Sequence, residues 1–180
     1  VYSQKAIVND QPGVTRDRKY GQGKLADLEF TLIDTAGIDD SLKGSTEMKI
    51  KKQSQLAIDD ANVIFFVIDG RDGVLPIEKT FAMNLKKQNK PIVILINKSE
   101  GSKGLIGLSE SASLGFDNVI PISAEHGEGL TDLYDVLKNN IDNENTNKKT
   151  ETISNIENSP IRVSIIGRPN TGKSTLINNI

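Results

Sequence analysis

One stretch near the end of this 180-residue chain decides its fold: Gly167-Arg168-Pro169-Asn170-Thr171-Gly172-Lys173-Ser174-Thr175. It follows an apolar run at 161–166, which predicts a buried strand, and it opens into 176–180, which predicts a first helical turn. Strand, GxxxxGKS and helix in that order predict a phosphate-binding loop, because glycines let backbone N–H groups close around an anion. In that loop Lys173 reaches the outer phosphates and the Ser174 hydroxyl ligates magnesium. A plain Gly/Pro turn would not explain the Lys-Ser pair.

Composition indicates a globular chain with an aliphatic core. The sequence is 36% hydrophobic and 26% charged, with 4% aromatic residues. The chain has 22 basic and 24 acidic side chains, so it has no overall positive charge that would indicate nucleic-acid binding. The absence of cysteine excludes a disulfide framework and a thiolate metal site. No run reaches the roughly 18 apolar residues of a membrane span, and no signal peptide opens the sequence. We therefore expect a cytoplasmic protein.

Strands alternate with helices ahead of the phosphate-binding loop. Apolar runs predict strands at 19–25, 28–33, 63–69, 91–96 and 118–122, the first two forming a hairpin around Ala26-Asp27. Helical periodicity or helix-start signals predict helices at 47–61, 76–87, 105–114 and 129–140. This alternation predicts an α/β fold, a mostly parallel sheet with helices on both faces.

Residues 142–159 differ from the rest of the chain. They are rich in Asn, Thr, Glu and Lys and almost lack large apolar side chains, so they predict a flexible linker. We accordingly expect a first domain at 1–141 that lacks an N-terminal phosphate-binding loop. Residues 160–180 would then supply the first strand, the phosphate-binding loop and the helix start of a second domain.

Four polar motifs follow the predicted strands and turns: PGVTRDR from residue 12, DTAG from residue 34, NKSE from residue 97 and SAEHGEG from residue 123. In a sheet of this class their loops lie along one edge, where a nucleotide binds. Thr15 can give magnesium a hydroxyl and the γ-phosphate an N–H group. Asp34 supplies a carboxylate toward magnesium, and the Gly37 N–H can reach the γ-phosphate.

The NKSE and SAEHGEG motifs suit a guanine base. Asn97 and Glu100 can hydrogen-bond its edge, and a carboxylate that accepts from two N–H groups rejects adenine. The Lys98 stem can pack over the base, and the Ala124 N–H can read the guanine oxygen. Each motif alone also fits an ordinary loop, so their joint order carries the prediction.

These motifs in this order resemble the translation-factor-related GTPases, specifically the EngA/Der family with two G domains in tandem. PGVTRDRKYG, LIDTAGID, VIDGRDG, NKSEG and SAEHGEGL are similar to the first G domain without its phosphate-binding loop, and 161–180 is similar to the opening of the second. The resemblance implies a P-loop NTPase fold, GTP hydrolysis to GDP with Mg²⁺, and a role in assembly of the large ribosomal subunit or contact with its rRNA.

The resemblance also implies a set of site residues. Those assigned to catalysis are Thr15, Gly37 and Lys173. Those assigned to magnesium are Thr15, Asp34 and Ser174. Those assigned to the nucleotide are Asp34, Thr35, Ala36, Gly37, Ile38, Asn97, Lys98, Glu100, Ser123, Ala124, Gly167, Arg168, Pro169, Asn170, Thr171, Gly172, Lys173, Ser174 and Thr175.

Three positions carry particular expectations within that family. Glu100 stands where an aspartate is commoner, which lengthens the carboxylate arm but keeps its chemistry. Ile38 follows DTAG where Ras-like enzymes have a water-orienting glutamine, so we expect slow intrinsic hydrolysis. Asn170 matches the asparagine of relatives that use a potassium ion, so K⁺ is a candidate activator.

Three functional interpretations remain open. The chain is a fragment holding parts of two GTPase sites, a permuted single G domain that supplies its own phosphate-binding loop, or a non-catalytic G-like scaffold. A missing central strand would leave two unpaired edges in the sheet. We therefore predict that 161–166 inserts between 30–33 and 63–68, within one chain or between two.

Overall fold

The computed structural model describes residues 18–35, 55–102, 104–148 and 160–180. Its strands are β1 (Arg18–Leu25), β2 (Leu28–Thr35), β3 (Val63–Asp69), β4 (Ile92–Asn97), β5 (Val119–Pro121) and β6 (Ile161–Gly167). Its helices are α1 (Pro76–Leu85), α2 (Gly104–Ser111), α3 (Leu130–Lys148) and α4 (Lys173–Ile177). A 3₁₀ turn spans Ala112–Leu114, and residues 55–60 are helical. None of the helices in these ranges combines the length and the apolar character that crossing a membrane requires.

The six strands form one sheet in the order β1-β2-β6-β3-β4-β5. Strand β1 pairs antiparallel with β2 through the two-residue Ala26-Asp27 turn, and Ala26 has the positive φ of 54° that such hairpin turns use. The other strand pairs are parallel. The P-loop NTPase α/β fold and the mostly parallel sheet are thereby confirmed.

Strand β6 occupies the centre of the sheet although it comes last in the chain. It pairs with β2 on one side, where Leu32 opposes Val163, and with β3 on the other, where Phe65 opposes Ile165. Every residue of β6 except Arg162 is buried. These pairings confirm the predicted insertion of 161–166 between 30–33 and 63–68. The physical reason is that this position gives both edges of an apolar strand a hydrogen-bonding partner.

Each face of the sheet carries its own core. Along β3 the side chains alternate, with Phe65 facing one core and Phe66 the other. Leu133 and Leu137 of α3 and Leu176 of α4 join the first core. The second core contains Ala82 and Leu85 of α1 and three residues in or next to the helical segment 55–60, namely Ala57, Ile58 and Ala61. Helices therefore cover both faces, as the alternation of elements predicts.

Two expected boundaries differ from the structure. Helix α3 continues to Lys148 instead of ending at residue 140, because no glycine or proline interrupts 130–148 and Ile141 still packs on the core. The first part of the predicted linker, 142–148, is therefore helical, whereas 149–159 lies outside the described residues. Of the helix predicted at 47–61, the described part is helical over 55–60.

Candidate nucleotide-binding site

The phosphate-binding loop joins the carboxyl end of β6 to the start of α4. The Lys173 side chain is almost fully buried, and its Nζ donates hydrogen bonds to the carbonyl oxygens of Gly167 at 2.9 Å and Arg168 at 2.5 Å. The Thr171 hydroxyl donates to the same Arg168 carbonyl at 2.9 Å. The ammonium is therefore held within the curve of the loop, close to where its backbone would surround an anion.

Two glycines allow this loop to form. A Cβ at Gly172, whose φ is +93°, would lie 2.1 Å from Asn97 Nδ2, and a Cβ at Gly167 would lie 2.4 Å from the Val67 carbonyl oxygen. Neither neighbour leaves room for a methyl group. Asn170 adds a third special conformation with a φ of 64°, a region that asparagine enters more readily than most residues. The loop thus needs its small residues for close packing as well as for any ligand.

Asn97 connects three of the predicted motifs. Its side chain is 2% exposed at the carboxyl end of β4. Its Nδ2 donates to the Thr171 carbonyl at 2.8 Å, and its Oδ1 accepts from the Ala124 N–H at 2.8 Å. Ala124 has a further contact just after α4, where Asn179 Nδ2 donates to the Ala124 carbonyl at 2.6 Å. The NKSE loop, the SAEHGEG loop and the phosphate-binding loop are therefore joined by buried hydrogen bonds.

Lys98 crosses the same edge of the sheet. It has a positive φ of 61°, and its Nζ donates to the Asn170 carbonyl at 2.8 Å. The same ammonium pairs with the Asp69 carboxylate at 2.5 Å. Asp69 ends β3 and is 6% exposed, and its other oxygen accepts the Arg71 N–H at 3.0 Å. The Lys98 stem is thereby stretched between two loops, an arrangement suited to covering a flat ring.

Glu100 presents an ionised carboxylate at this edge. Its pKa lies below the ordinary value, chiefly because of its own backbone N–H and secondly because of the Ser123 hydroxyl; partial burial opposes these effects and Arg71 adds to them. Oε1 accepts from Arg71 Nη2. Oε2 and Ser123 Oγ are both buried, and neither has a hydrogen-bond partner of normal geometry among the described residues. Two unsatisfied buried oxygens therefore lie in loops expected to contact guanine.

Arg168 ties the phosphate-binding loop to the start of α1. Its Nε donates to Glu78 Oε1 at 2.8 Å and its Nη2 to Asp72 Oδ2 at 3.0 Å. Burial alone would lower the pKa of Arg168, but the bonds to Glu78 and Asp72 outweigh it and raise the pKa. Glu78 is 2% exposed, and its Oε2 accepts the Leu75 N–H at 2.9 Å. Arg168 is thus committed to the protein instead of to solvent.

The described residues bring together most of the base and phosphate positions that the sequence predicts. Ser174 and Thr175 are exposed at the start of α4, and Pro169 lies partly buried in the loop. Asp34 and Thr35 end β2, where Asp34 pairs with Ile165 in the backbone register, and their side chains lie outside what is described. Thr15, Ala36, Gly37 and Ile38 lie outside the described residues altogether.

The donor set fits a magnesium nucleotide. Magnesium usually keeps several waters and takes one or two protein ligands besides substrate phosphates, so an all-protein cage is not required. Within the described ranges, no group of three or more His, Cys, Asp or Glu side chains could hold a metal ion. The exposed Ser174 hydroxyl beside the buried Lys173 matches the arrangement that such a complex needs.

Comparison with known proteins decides the family. A family model described as "50S ribosome-binding GTPase" matches residues 1–98 and 162–180. The chain belongs to this GTPase family. The first matched segment includes the DTAG and NK motifs, and the second includes the phosphate-binding loop.

Individual relatives confirm the EngA/Der resemblance. A protein named GTPase Der from Bradyrhizobium sp. strain BTAi1 is 49% identical over 177 residues, covering 97% of this chain and 39% of the relative. GTPase Der from Rhodopseudomonas palustris strain HaA2 is 47% identical over 180 residues, with the same coverage. GTPase Der from Nitrobacter hamburgensis is 47% identical over 180 residues, covering 96% of this chain. The chain thus spans 39% of the length of these curated relatives.

Sequence reasoning missed three charged residues of the site: Asp69, Arg71 and Glu78. Asp69 and Arg71 flank Gly70 at the carboxyl end of β3, so their place beside the strand-end motifs was available as a signal. Glu78 stands two residues after Pro76, the spacing of an acidic residue in the first turn of a helix. Its ion pair with Arg168, 90 positions away, had no local signal.

Proposed function

We propose that this chain binds guanine nucleotide and that the protein hydrolyses GTP to GDP. The observation that supports this most strongly is the double hydrogen bond of Asn97, which joins the phosphate-binding loop to both loops expected at the base. A nucleotide has a charged end and a flat aromatic end, and binding it requires the elements for both ends at a fixed separation. Asn97 supplies that fixed connection.

The residues divide between base and phosphates. Glu100 Oε2 accepts from the guanine N–H groups, the Ala124 N–H donates to the guanine oxygen, and the stem of Lys98 covers the ring. Lys173 and the N–H groups of the phosphate-binding loop bind the phosphates. Adenine offers the carboxylate no matching pair of N–H groups, so ATP is rejected by leaving Glu100 unsatisfied.

Metal ions supply the remaining charge compensation. Ser174 would hold Mg²⁺, with Asp34 and Thr15 as further ligands, and the ion would supply positive charge to the outer phosphates. Asn170 would hold a potassium ion, which would supply the charge that an arginine finger provides in other GTPases. Gly37 orders its loop through the γ-phosphate, and Ile38 leaves hydrolysis slow in the absence of an activator. These roles follow the family pattern at matching positions.

The ribosomal role is proposed for the whole protein, because the chain spans 39% of the length of a curated relative. The matched family is described as ribosome-binding, which supports the large ribosomal subunit or its rRNA as partner in the cytoplasm. Co-sedimentation of the whole protein with large subunits, compared between GDP and a non-hydrolysable GTP analogue, tests this. Equal absence from the ribosomal pellet in both states would contradict it.

The domain arrangement carries a second proposal. Residues 1–141 form a first G domain that lacks its own N-terminal phosphate-binding loop, and 142–159 link it to the next domain. Residues 160–180 supply the first strand, the phosphate-binding loop and the helix start of the second G domain in the tandem family. The pairing of β6 with β2 and β3 favours a further possibility, namely that 160–180 supply the phosphate-binding loop to the base-reading loops of the same chain. Tight binding of GDP by the 180-residue chain alone supports this self-closure; binding that appears only after a phosphate-binding loop is added ahead of Val1 contradicts it.

Two measurements test the enzymatic proposal. Calorimetric titration with Mg²⁺ present should give binding of GDP and none of ADP. Phosphate release from GTP by the whole protein should then be faster in potassium chloride than in sodium chloride. Equal rates in the two salts would exclude the potassium role, and no phosphate release in either would favour the scaffold interpretation over the enzyme.

A further inference from the structure

We propose that Arg71 is a specificity-determining residue of the base site, acting by positioning the Glu100 carboxylate. Its guanidinium binds Oε1, so that Oε2, together with the Ser123 hydroxyl, remains for the N–H groups of the base. The inference rests on the proposed function, because it takes the base to be guanine. Arg71 belongs to none of the four strand-end motifs or the phosphate-binding loop.

The position of Arg71 is itself fixed by the ends of two strands. Its N–H donates to Asp69 Oδ1 at 3.0 Å, and Asp69 also holds Lys98. The preceding N–H, that of Gly70, donates to the Asn97 carbonyl at 2.7 Å, and the Gly70 carbonyl accepts from Gly107 at 3.0 Å. The backbone from which Arg71 extends is thus tied to the same strand that carries Asn97 and precedes Glu100.

The ion pair suits positioning better than folding. The Arg71 side chain is 51% exposed and that of Glu100 is 22% exposed, and pairs this accessible contribute little to the stability of a fold. A planar guanidinium nevertheless restricts the orientation of a carboxylate. Glutamate needs this restriction more than aspartate does, because its side chain has one more rotatable bond.

One oxygen of the Glu100 carboxylate binds Arg71, and the other is available to a ligand. Glu100 Oε2 and Ser123 Oγ are both buried and have no hydrogen-bond partner within the part of the chain that the structure describes. Buried oxygens without partners are costly, so donors supplied by a ligand at this point are strongly favoured over a ligand that lacks them. The 2-amino group is what distinguishes guanine from hypoxanthine, so the proposal predicts that Arg71 strengthens discrimination between GDP and IDP.

Calorimetric titration of the chain with GDP and IDP tests the proposal. We expect Arg71→Ala to weaken GDP binding about tenfold, the equivalent of one charged hydrogen bond, and to weaken IDP binding less, because hypoxanthine keeps the ring N–H but lacks the 2-amino group. Arg71→Lys should recover part of the loss. Arg162→Ala, which removes an exposed arginine from β6, is the matched control and should bind both nucleotides like the unaltered chain.

A double-mutant cycle separates positioning from a general charge effect. If Arg71 acts through Glu100, Arg71→Ala should have no further effect on GDP affinity in a Glu100→Ala background. Additive losses, or unchanged GDP and IDP affinities in Arg71→Ala, would overturn the proposal while leaving the guanine site intact. If the unaltered chain binds no GDP, the proposed function fails and this inference fails with it.

Discussion

The Asn97 side chain donates a hydrogen bond of 2.8 Å to the Thr171 carbonyl, across 74 positions of sequence. With the Ala124 bond to its Oδ1, both the nitrogen and the oxygen of this buried amide are hydrogen-bonded. Hydrogen bonds within the protein therefore join the phosphate-binding loop to the two loops expected at the base.

Replacing Asn97 with alanine should destabilise the fold as well as the site. The change leaves a buried carbonyl and a buried N–H without partners, at about 1–3 kcal/mol for each. The free energy of unfolding, measured by urea titration, should fall accordingly. Asn84→Ala, on the exposed face of α1, is the control and should change stability little. A normal unfolding curve for Asn97→Ala would show that these two bonds do not hold the loops together.

Gly172→Ala should disrupt the phosphate-binding loop. The added Cβ would lie 2.1 Å from Asn97 Nδ2 at a φ of +93°, so both the loop and the amide must move. Gly127→Ala is a matched control, because its φ is +72° but the nearest atom lies 3.8 Å from the added Cβ. Both variants carry the cost of a left-handed alanine, about 1–2 kcal/mol. GDP binding should be lost in the first variant only, and equal affinities in the two would contradict the clash.

Glu78→Ala should destabilise far more than Asp72→Ala, although both remove an ion-pair partner of Arg168. Glu78 is buried, and breaking a buried pair costs about 3–5 kcal/mol. The Asp72 side chain is 54% exposed, and an exposed pair is worth about 0–1 kcal/mol. Thermal unfolding of the two variants gives the comparison. Equal changes in Tm would mean that burial does not govern the strength of this network.

The carboxylate of Glu100 should make stability depend on pH at acid values. Its folded pKa is lowered, chiefly by its own backbone N–H, so its contribution is present above the unfolded pKa and is lost as the pH falls through the folded pKa. We expect the stability difference between the unaltered chain and Glu100→Gln to be constant near neutral pH and to shrink below the ordinary glutamate pKa of about 4.3. Urea titrations at a series of pH values measure it, and a difference independent of pH throughout would contradict the assignment.

Lys90→Met should loosen the helical segment at 55–60. The Lys90 ammonium donates to the carbonyls of Ile58, Asp59 and Ala61 at 2.7, 2.6 and 2.7 Å, which satisfies the open end of that helix. Its loss leaves these carbonyls without the cation, at about 1–3 kcal/mol in unfolding free energy. Lys87→Met, an exposed lysine three positions earlier, is the control. Similar stabilities of the two variants would show that the cap contributes nothing.

The sheet was largely predictable because its signals are strong and local. The run at 63–69 is buried at every position and the run at 161–166 at every position but Arg162, and β6 lies where two open edges required a strand. The end of α3 was not predictable in the same way, because a polar sequence from 142 onward is typical both of a linker and of a solvent-exposed helix end. Without a glycine or proline, the helix continues to Lys148.

The candidate site shows the same difference between residues with a local sequence signal and residues without one. Asn97 and Lys173 lie in motifs whose residue types and spacing predict base and phosphate binding. In the structure a hydrogen bond from Asn97 joins the two loops. The contacts of Arg71 with Glu100 and of Arg168 with Glu78 depend on long side chains meeting across 29 and 90 positions. Such contacts depend on how the loops and helices are arranged in the folded protein, and a local sequence pattern does not predict that arrangement.

The central claim is that the phosphate-binding loop and the base loops form one guanine-nucleotide site in this chain. Calorimetric titration with GDP and with guanosine, for the unaltered chain, Lys173→Ala and Glu100→Ala, tests it most directly. One GDP should bind per chain; Glu100→Ala should weaken both ligands, whereas Lys173→Ala should weaken GDP and leave guanosine unchanged. Two GDP molecules per chain, or GDP affinity insensitive to either substitution, would contradict the single composite site.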